Sequence, residues 1–235
     1  MSRRIRLRDG ACTALCVALL ASTAQAQRTA PGGKGAPSVR CTVDTSAEWF
    51  RKQRAWSDES RHDWSNDGLR TALLGATGLG SAADAGALPG FEIVGESGAN
   101  GGDAVAQARM LDSLRTLAKN RQSPWPVRSV VGPAGVRAVW LLAARDSILA
   151  RTVLHRMMEA GPDESPPAAV ATLEDRLRLQ QGRKQIYGTQ LVRTANGGLE
   201  PAPMEDPARV DLRRDAAGLP PIAQALCAAR ASSSH

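Results

Sequence analysis

Residues 103–120, Asp-Ala-Val-Ala-Gln-Ala-Arg-Met-Leu-Asp-Ser-Leu-Arg-Thr-Leu-Ala-Lys-Asn, decide the fold class. Leu111, Leu114 and Ala118 recur at helical spacing, which gives the segment one apolar side and one charged side. Asp103 can cap the first free N–H groups, and Pro124 and Pro126, around Trp125, stop the helix. The pattern repeats downstream. After Gly132-Pro133, Val136, Val139, Trp140 and Ala143 share a face up to a break near Asp146-Ser147. Ile148, Val153, Leu154 and Met157 carry a further helix to Gly161, a residue suited to a helix C-terminus. Ser165-Pro166 then reads as an N-cap and first-turn pair for a helix bearing Val170, Leu173 and Leu177, closed by Gly182.

One stretch departs from helix. Ile186 to Val192 is rich in β formers, Asn196-Gly197-Gly198 is a turn, and Leu199 to Met204 can return as an edge because of Pro201 and Pro203. Asp206-Pro207 opens a last longer helix, with Asp206 beside Glu205 as its N-terminal acids; Gly218-Leu219 ends it and Pro220-Pro221 prevents continuation. The expected architecture is therefore mainly α: a compact helical domain over residues 103–229 with a small β-hairpin, and a disordered tail at 230–235.

Residues 41–102 read as a separate helix and a Gly-rich insertion. Thr45 and Glu48 have capping-box spacing, and the helix they open carries Trp49, Trp56 and Trp64 within one sector, among Arg51, Lys52, Arg54 and Arg61. Such a ridge suits docking onto the domain, contact with a lipid headgroup layer, or stacking on carbohydrate. From Gly75 to Gly102, Pro89-Gly90 marks a turn and only Phe91-Glu-Ile-Val94 offers a strand pattern. Gly95-Glu96-Ser97-Gly98 misses the nucleophile-elbow pattern because Ala99 stands at its last glycine. Gly78-Leu-Gly80, a fragment of a dinucleotide fingerprint, follows a helix rather than a strand.

The chain opens with Arg3, Arg4, Arg6 and Arg8, runs through an apolar stretch from Ala11 to Ala21, and reaches Ala24-Gln25-Ala26. That is the layout of a secretory signal over residues 1–26, cleaved after Ala26, with 27–40 as a flexible tether and a periplasmic or secreted destination. Cleavage removes four arginines and Asp9, a net of +3, and takes the formal +7 of the full chain to +4. Acids interleave the basic residues, so no nucleic-acid footprint is expected. Cys41 and Cys227 remain, and an oxidising compartment favours their pairing.

Candidate functional residues cluster late. Asp175 and Arg176 sit on a helix; Gln185, Tyr187, Thr189 and Gln190 come after it, with the first three on one face if the segment is a strand; Arg213 and Arg214 lie on the next helix. The set suits a polar or anionic ligand, and suits equally a structural lock in which Asp175 pairs with Arg213 or Arg214 and the amides satisfy backbone. His62, His155 and His235 have no metal spacing, and no metal or cofactor is expected.

The segment Asp175-Arg176, Gly182, Gln185-Ile-Tyr187-Gly188-Thr189-Gln190, continued by Glu205-Asp-Pro207, Val210-Asp211, Arg213-Arg214 and Gly218-Leu-Pro-Pro221, resembles a bacterial family described only as a domain of unknown function. Trp125-Pro126, Ser129 to Gly132 and Ala138 to Leu142 extend the resemblance to about residues 105–228. Ala144-Arg145 stands where the family tends to carry Gln-His, so the resemblance implies no imidazole chemistry here. The residues point to a non-enzymatic binding or interaction protein for a protein or small polar ligand. The alternatives are a hydrolase or other enzyme built around Asp175, Arg176, Tyr187 and Arg213, and a membrane-surface protein acting through its Trp-bearing helix.

Overall fold

Apolar spacing in residues 103–182 produces four helices: α3 (Ala104–Lys119), α4 (Arg128–Ala143), α5 (Ser147–Ala160) and α6 (Pro167–Gln180). They are preceded by α1 (Glu48–Trp56) and α2 (Asp67–Thr77) and followed by a 3-10 turn (Pro207–Arg209), α7 (Val210–Ala216) and α8 (Ile222–Ser232). A computed structural model describes Cys41, Asp44 and residues 46–60, 64–79, 91–94, 103–120 and 122–232. All lie within one compact unit, Ser38–His235. The expected leader, the tether, most of the Gly-rich insertion, the Gly95–Gly98 motif, His62 and His235 lie outside the described residues.

Asp103 caps α3 by accepting from the Val105 N–H, and Asp146 caps α5 by accepting from Ile148 and Leu149. These bonds and Arg115, whose guanidinium reaches Asp146 from α3 at 2.6 Å, hold the Asp146 carboxyl below its usual range. Leu73, Leu114, Val131, Leu142, Val153 and Leu173, fully buried, form the centre of a core shared by α2 to α6.

The helix α4 begins at Arg128 but is bent at Gly132, which has φ +68°. A side chain there would stand 2.9 Å from the Trp64 ring, so glycine meets both the conformation and the close approach. The Glu59 carboxylate serves the resumed helix, accepting from the Ala134 N–H at 2.7 Å while pairing with Arg70.

Several expectations are corrected. The Trp-bearing helix is not continuous: α1 ends at Trp56, and Trp64 precedes α2. The α1 N-cap is Ala47, without a side-chain cap bond, and Thr45 lies outside the described residues. The hairpin is part of a three-stranded sheet. Strand β1 (Glu92–Ile93) pairs in parallel with β2 (Gln190–Arg193), which pairs antiparallel with β3 (Leu199–Pro201), around the turn at Asn196-Gly197-Gly198.

Ile186 to Thr189 are loop, because buried side chains of α6 and α7 bond their backbone in place of a neighbouring strand. Asp206 makes no cap bond, and it is succeeded by a 3-10 turn and a seven-residue helix rather than by one longer helix. Pro220-Pro221 starts a helix: Gln224 and Ala225 donate to the Pro221 carbonyl, and the alanine-rich α8 continues through Ser232, into the expected tail.

Cys41 and Cys227 form a disulfide across 186 residues, tying the segment before α1 to α8. Replacing both by serine should lower the stability measured by urea unfolding by about 2–4 kcal/mol, because a long loop is released in the unfolded chain. Unchanged stability would mean that packing alone holds α8.

Candidate functional site

Asp175 lies in the middle of α6 with no exposed surface. Its Oδ1 accepts from the Ile186 N–H at 2.6 Å and the Tyr187 N–H at 3.1 Å. Its Oδ2 accepts from the Thr189 N–H at 3.0 Å and the Thr189 hydroxyl at 2.9 Å. One carboxylate thereby gathers three main-chain donors and a hydroxyl from a single loop.

The other polarity of that loop is met from α7. Arg214, also 0% exposed, donates from Nη1 to the carbonyls of Tyr187 (2.8 Å) and Gly188 (3.4 Å), and from Nε to the Pro220 carbonyl (2.6 Å). Burial pushes its guanidinium down to about 10, against the opposing pull of Asp211 and Asp175, and leaves it charged at neutral pH. Arg213 donates to the carbonyls of Ile186 (2.9 Å), Glu205 and Asp206 (2.8 Å each). The expected pairing of Asp175 with these arginines takes another form: acid and guanidinium grip the N–H side and the C=O side of one loop.

The glutamines close its ends. Gln185 donates from Nε2 to the Gln190 and Ala202 carbonyls, and its Oε1 accepts from the Gln190 N–H at 2.9 Å. Gln190 donates from Nε2 to Glu92 on β1, and Arg176 donates from Nε and Nη2 to the same Oε2 at 3.0 and 2.9 Å. Arg176 also donates to the Ala144 carbonyl at the end of α4. Gly188, at φ +67°, leaves room for Met204 and Ile222, whose side chains would lie 2.6 and 2.7 Å from an added Cβ.

All eight candidate residues therefore meet around one loop, but Gln185, Tyr187 and Thr189 do not share a strand face; the strand begins at Gln190. Sequence reasoning missed Glu92, which lies far away in the Gly-rich region, and Arg178, which donates to the Lys184 carbonyl at 2.7 Å and pairs with Glu205. Neither has a local signal.

The outer side of the loop borders a groove between α1, α5, α6 and α7. One lobe, about 320 Å³, is lined by Met157, Met158, Ser165, Val170, Tyr187 and Arg213. The next, about 390 Å³, is lined by Trp56, Arg128, Ala168 and Gly218 among others, and the two share Pro162, Pro167, Ala216 and Ala217. Burial, then Glu174 and Asp175, raise the Tyr187 hydroxyl above its usual range. A third cleft of about 310 Å³ meets the first at Met158 and holds Arg151, His155, Glu174 and Arg183. Glu174 is raised by burial, whereas His155 is exposed beside Glu159 at 3.1 Å.

The Trp residues turn toward protein. Trp49 is buried, Trp56 packs on the core with Arg128 5.8 Å from its ring centroid, and Trp64 lies under Arg70 at 4.5 Å. The three indoles occupy separate packing sites, which fits docking onto the domain, the first of the three readings of the ridge.

Asp175→Asn replaces an acceptor surrounded by donors with a group that must itself present N–H. Its stability in urea should fall by about 3 kcal/mol or more, with the helical circular dichroism retained below the transition. A loss under about 1 kcal/mol would show that the loop is held without the carboxylate.

No curated protein and no solved structure matches the chain. Residues 104–230 match a family described as a family of unknown function, DUF6624, close to the span 105–228 over which the sequence resembles such a family. From α3 through most of α8, including the loop that Asp175 and Arg214 hold, the chain belongs to the family of unknown function DUF6624.

Proposed function

We propose that the protein is an exported, non-enzymatic binding protein, in which the signature residues lock the fold and the neighbouring groove receives a small ligand. The observation that carries this reading is a division of labour. The charged groups that chemistry would need, Asp175, Arg176 and Arg214, are engaged with main chain or with Glu92, while Tyr187 and Arg213 reach the groove wall from the same fixed loop. A hydrolase built on Asp175 would require that carboxylate to reach a substrate, and it has no exposed surface.

Two lobes of this size, mostly apolar with a few polar groups, have the character of small-molecule sites. Export draws support from the basic, apolar leader and from the Cys41–Cys227 bridge, since structural disulfides persist in oxidising compartments. Among the described residues no helix is long and apolar enough to cross a membrane.

Expressed with its leader in a bacterium, the chain should be recovered from the periplasm or medium with Gln27 at its N-terminus and with Cys41 and Cys227 closed to alkylation. Full-length protein in the cytoplasm with reactive thiols would overturn the export reading. For the groove, Ala216→Trp places a large side chain between the two lobes on an exposed helix end. Compounds that raise the melting temperature of the oxidised chain should lose that effect in the variant, whose own melting temperature should change little. Equal stabilisation of both proteins would place the site elsewhere.

A further inference from the structure

The sequence pair Ser165-Pro166 leads to an expected N-cap, yet Ser165 does not cap α6. The N-cap is Pro166, without a side-chain bond, and the helix starts at Pro167. A residue before proline avoids the helical region, so the Pro166-Pro167 doublet keeps Pro166 extended and moves the start on by one. Two polar groups are left over. The Ser165 hydroxyl, on a residue only 1% exposed, has no hydrogen-bond partner among the described residues. The Ala168 N–H, a first-turn donor with no acceptor within its own helix, makes no backbone bond among them either, whereas Ala169 and Val170 donate to the Pro166 carbonyl.

Both residues line the groove, Ser165 in one lobe and Ala168 in the other, at the corner the lobes share. The indole N–H of Trp56, in the larger lobe, is likewise buried without a partner among the described residues. Native proteins pair almost all buried side-chain polar groups, so two on one groove are unusual. They lie near the N-terminus of a 14-residue helix, where the Ala168 N–H and the helix dipole favour negative charge. Arg128, held over Trp56, adds a cation on the same wall.

The remaining charges limit the ligand. Lys52 on the rim is already paired with Glu48 at 3.0 Å, and Asp163 on the same rim repels a dianion. The walls beyond the corner are apolar, built from Met157, Met158, Val170 and Ala217. We infer that the groove binds an amphiphilic monocarboxylate, with its head at the α6 N-terminus between Ser165, Ala168, Trp56 and Arg128, and its hydrocarbon body along the Met157–Val170 lobe. This inference rests on the groove being the protein's ligand site.

The test is calorimetric titration of the oxidised chain with octanoate and decanoate below their micellar concentrations, against decylamine and decanol. Decanoate should bind more tightly than octanoate by roughly fifteenfold, since each of the two added methylenes contributes about fourfold. Decylamine should not bind measurably. Arg128→Gln should weaken decanoate by about tenfold, as expected for losing a charge-assisted contact. Ser165→Ala should weaken it several-fold yet leave the unliganded melting temperature unchanged or higher, because this hydroxyl has no bond to lose; a structural role would predict the opposite.

Decanoate binding equally to Ser165→Ala and Arg128→Gln would overturn the head-group assignment, as would equal binding of decanol and decanoate. If decanoate does not bind while another compound does, with loss in Ala216→Trp, the carboxylate inference fails and the groove reading stands. If Ala216→Trp leaves every bound compound unaffected, both fail.

Discussion

The carboxylate of Asp175 is the interaction on which the C-terminal half of the domain depends. A loop crossing a protein interior brings main-chain N–H and C=O groups that water can no longer satisfy. Here the N–H groups of Ile186, Tyr187 and Thr189 converge on one acid, and the carbonyls of Ile186, Tyr187 and Gly188 meet Arg213 and Arg214. A neutral side chain would offer fewer acceptor sites for this convergence. The loop is clamped between α6 and α7 by opposite charges acting through its backbone, which sets the position of each helix relative to the other.

Much else depends on that clamp. Once Thr189 is fixed, its carbonyl accepts from the Glu92 N–H at 2.7 Å and β1 can pair with β2. Glu92 then stands where Arg176 and Gln190 reach it, so a two-residue strand from a distant segment is joined to α6 by charge as well as by sheet bonds. On the other side, Gly188 approaches Met204 and Ile222 closely, and α8 is tied at its middle, through Cys227, to Cys41. Thr189, Gln185 and Gln190 are buried, whereas Tyr187 lines the groove, and it does so from a backbone held on both polarities.

How much was legible in the sequence depends on the range of the physics. Helices governed by local spacing and local caps, α3 with Asp103 and α5 from Asp146 to Gly161, are realised as read, whereas α4 starts at Arg128, before the Gly132-Pro133 pair expected to open it. The glycine turn at Asn196 to Gly198 is also local. Ile186 to Thr189, by contrast, are β formers held as loop, because an acid eleven or more residues upstream outweighs their propensity. The eight signature residues could be named as one set because several stand close together in sequence, but the direction of their bonds required the backbone path. Glu92 had no local sign of its role, and the break between Trp56 and Trp64 answers to Glu59 reaching the start of the resumed α4.

Proline doublets mislead in the same way at two places. At Pro220-Pro221 the ring reads as a stop, but proline is well suited to the first turn or cap of a helix, where its missing N–H costs nothing, and α8 begins there. At Pro166-Pro167 the second ring shifts the helix start and separates Ser165 from the N–H groups it was expected to cap. Proline's local preferences account for both the start of α8 and the hydroxyl left without a partner among the described residues. A serine one residue too early to cap, buried at the edge of an apolar groove without a hydrogen-bond partner among the described residues, is poorly explained by stability, because a hydroxyl buried without a partner is destabilising. Its position makes physical sense where an acceptor arrives from outside the chain.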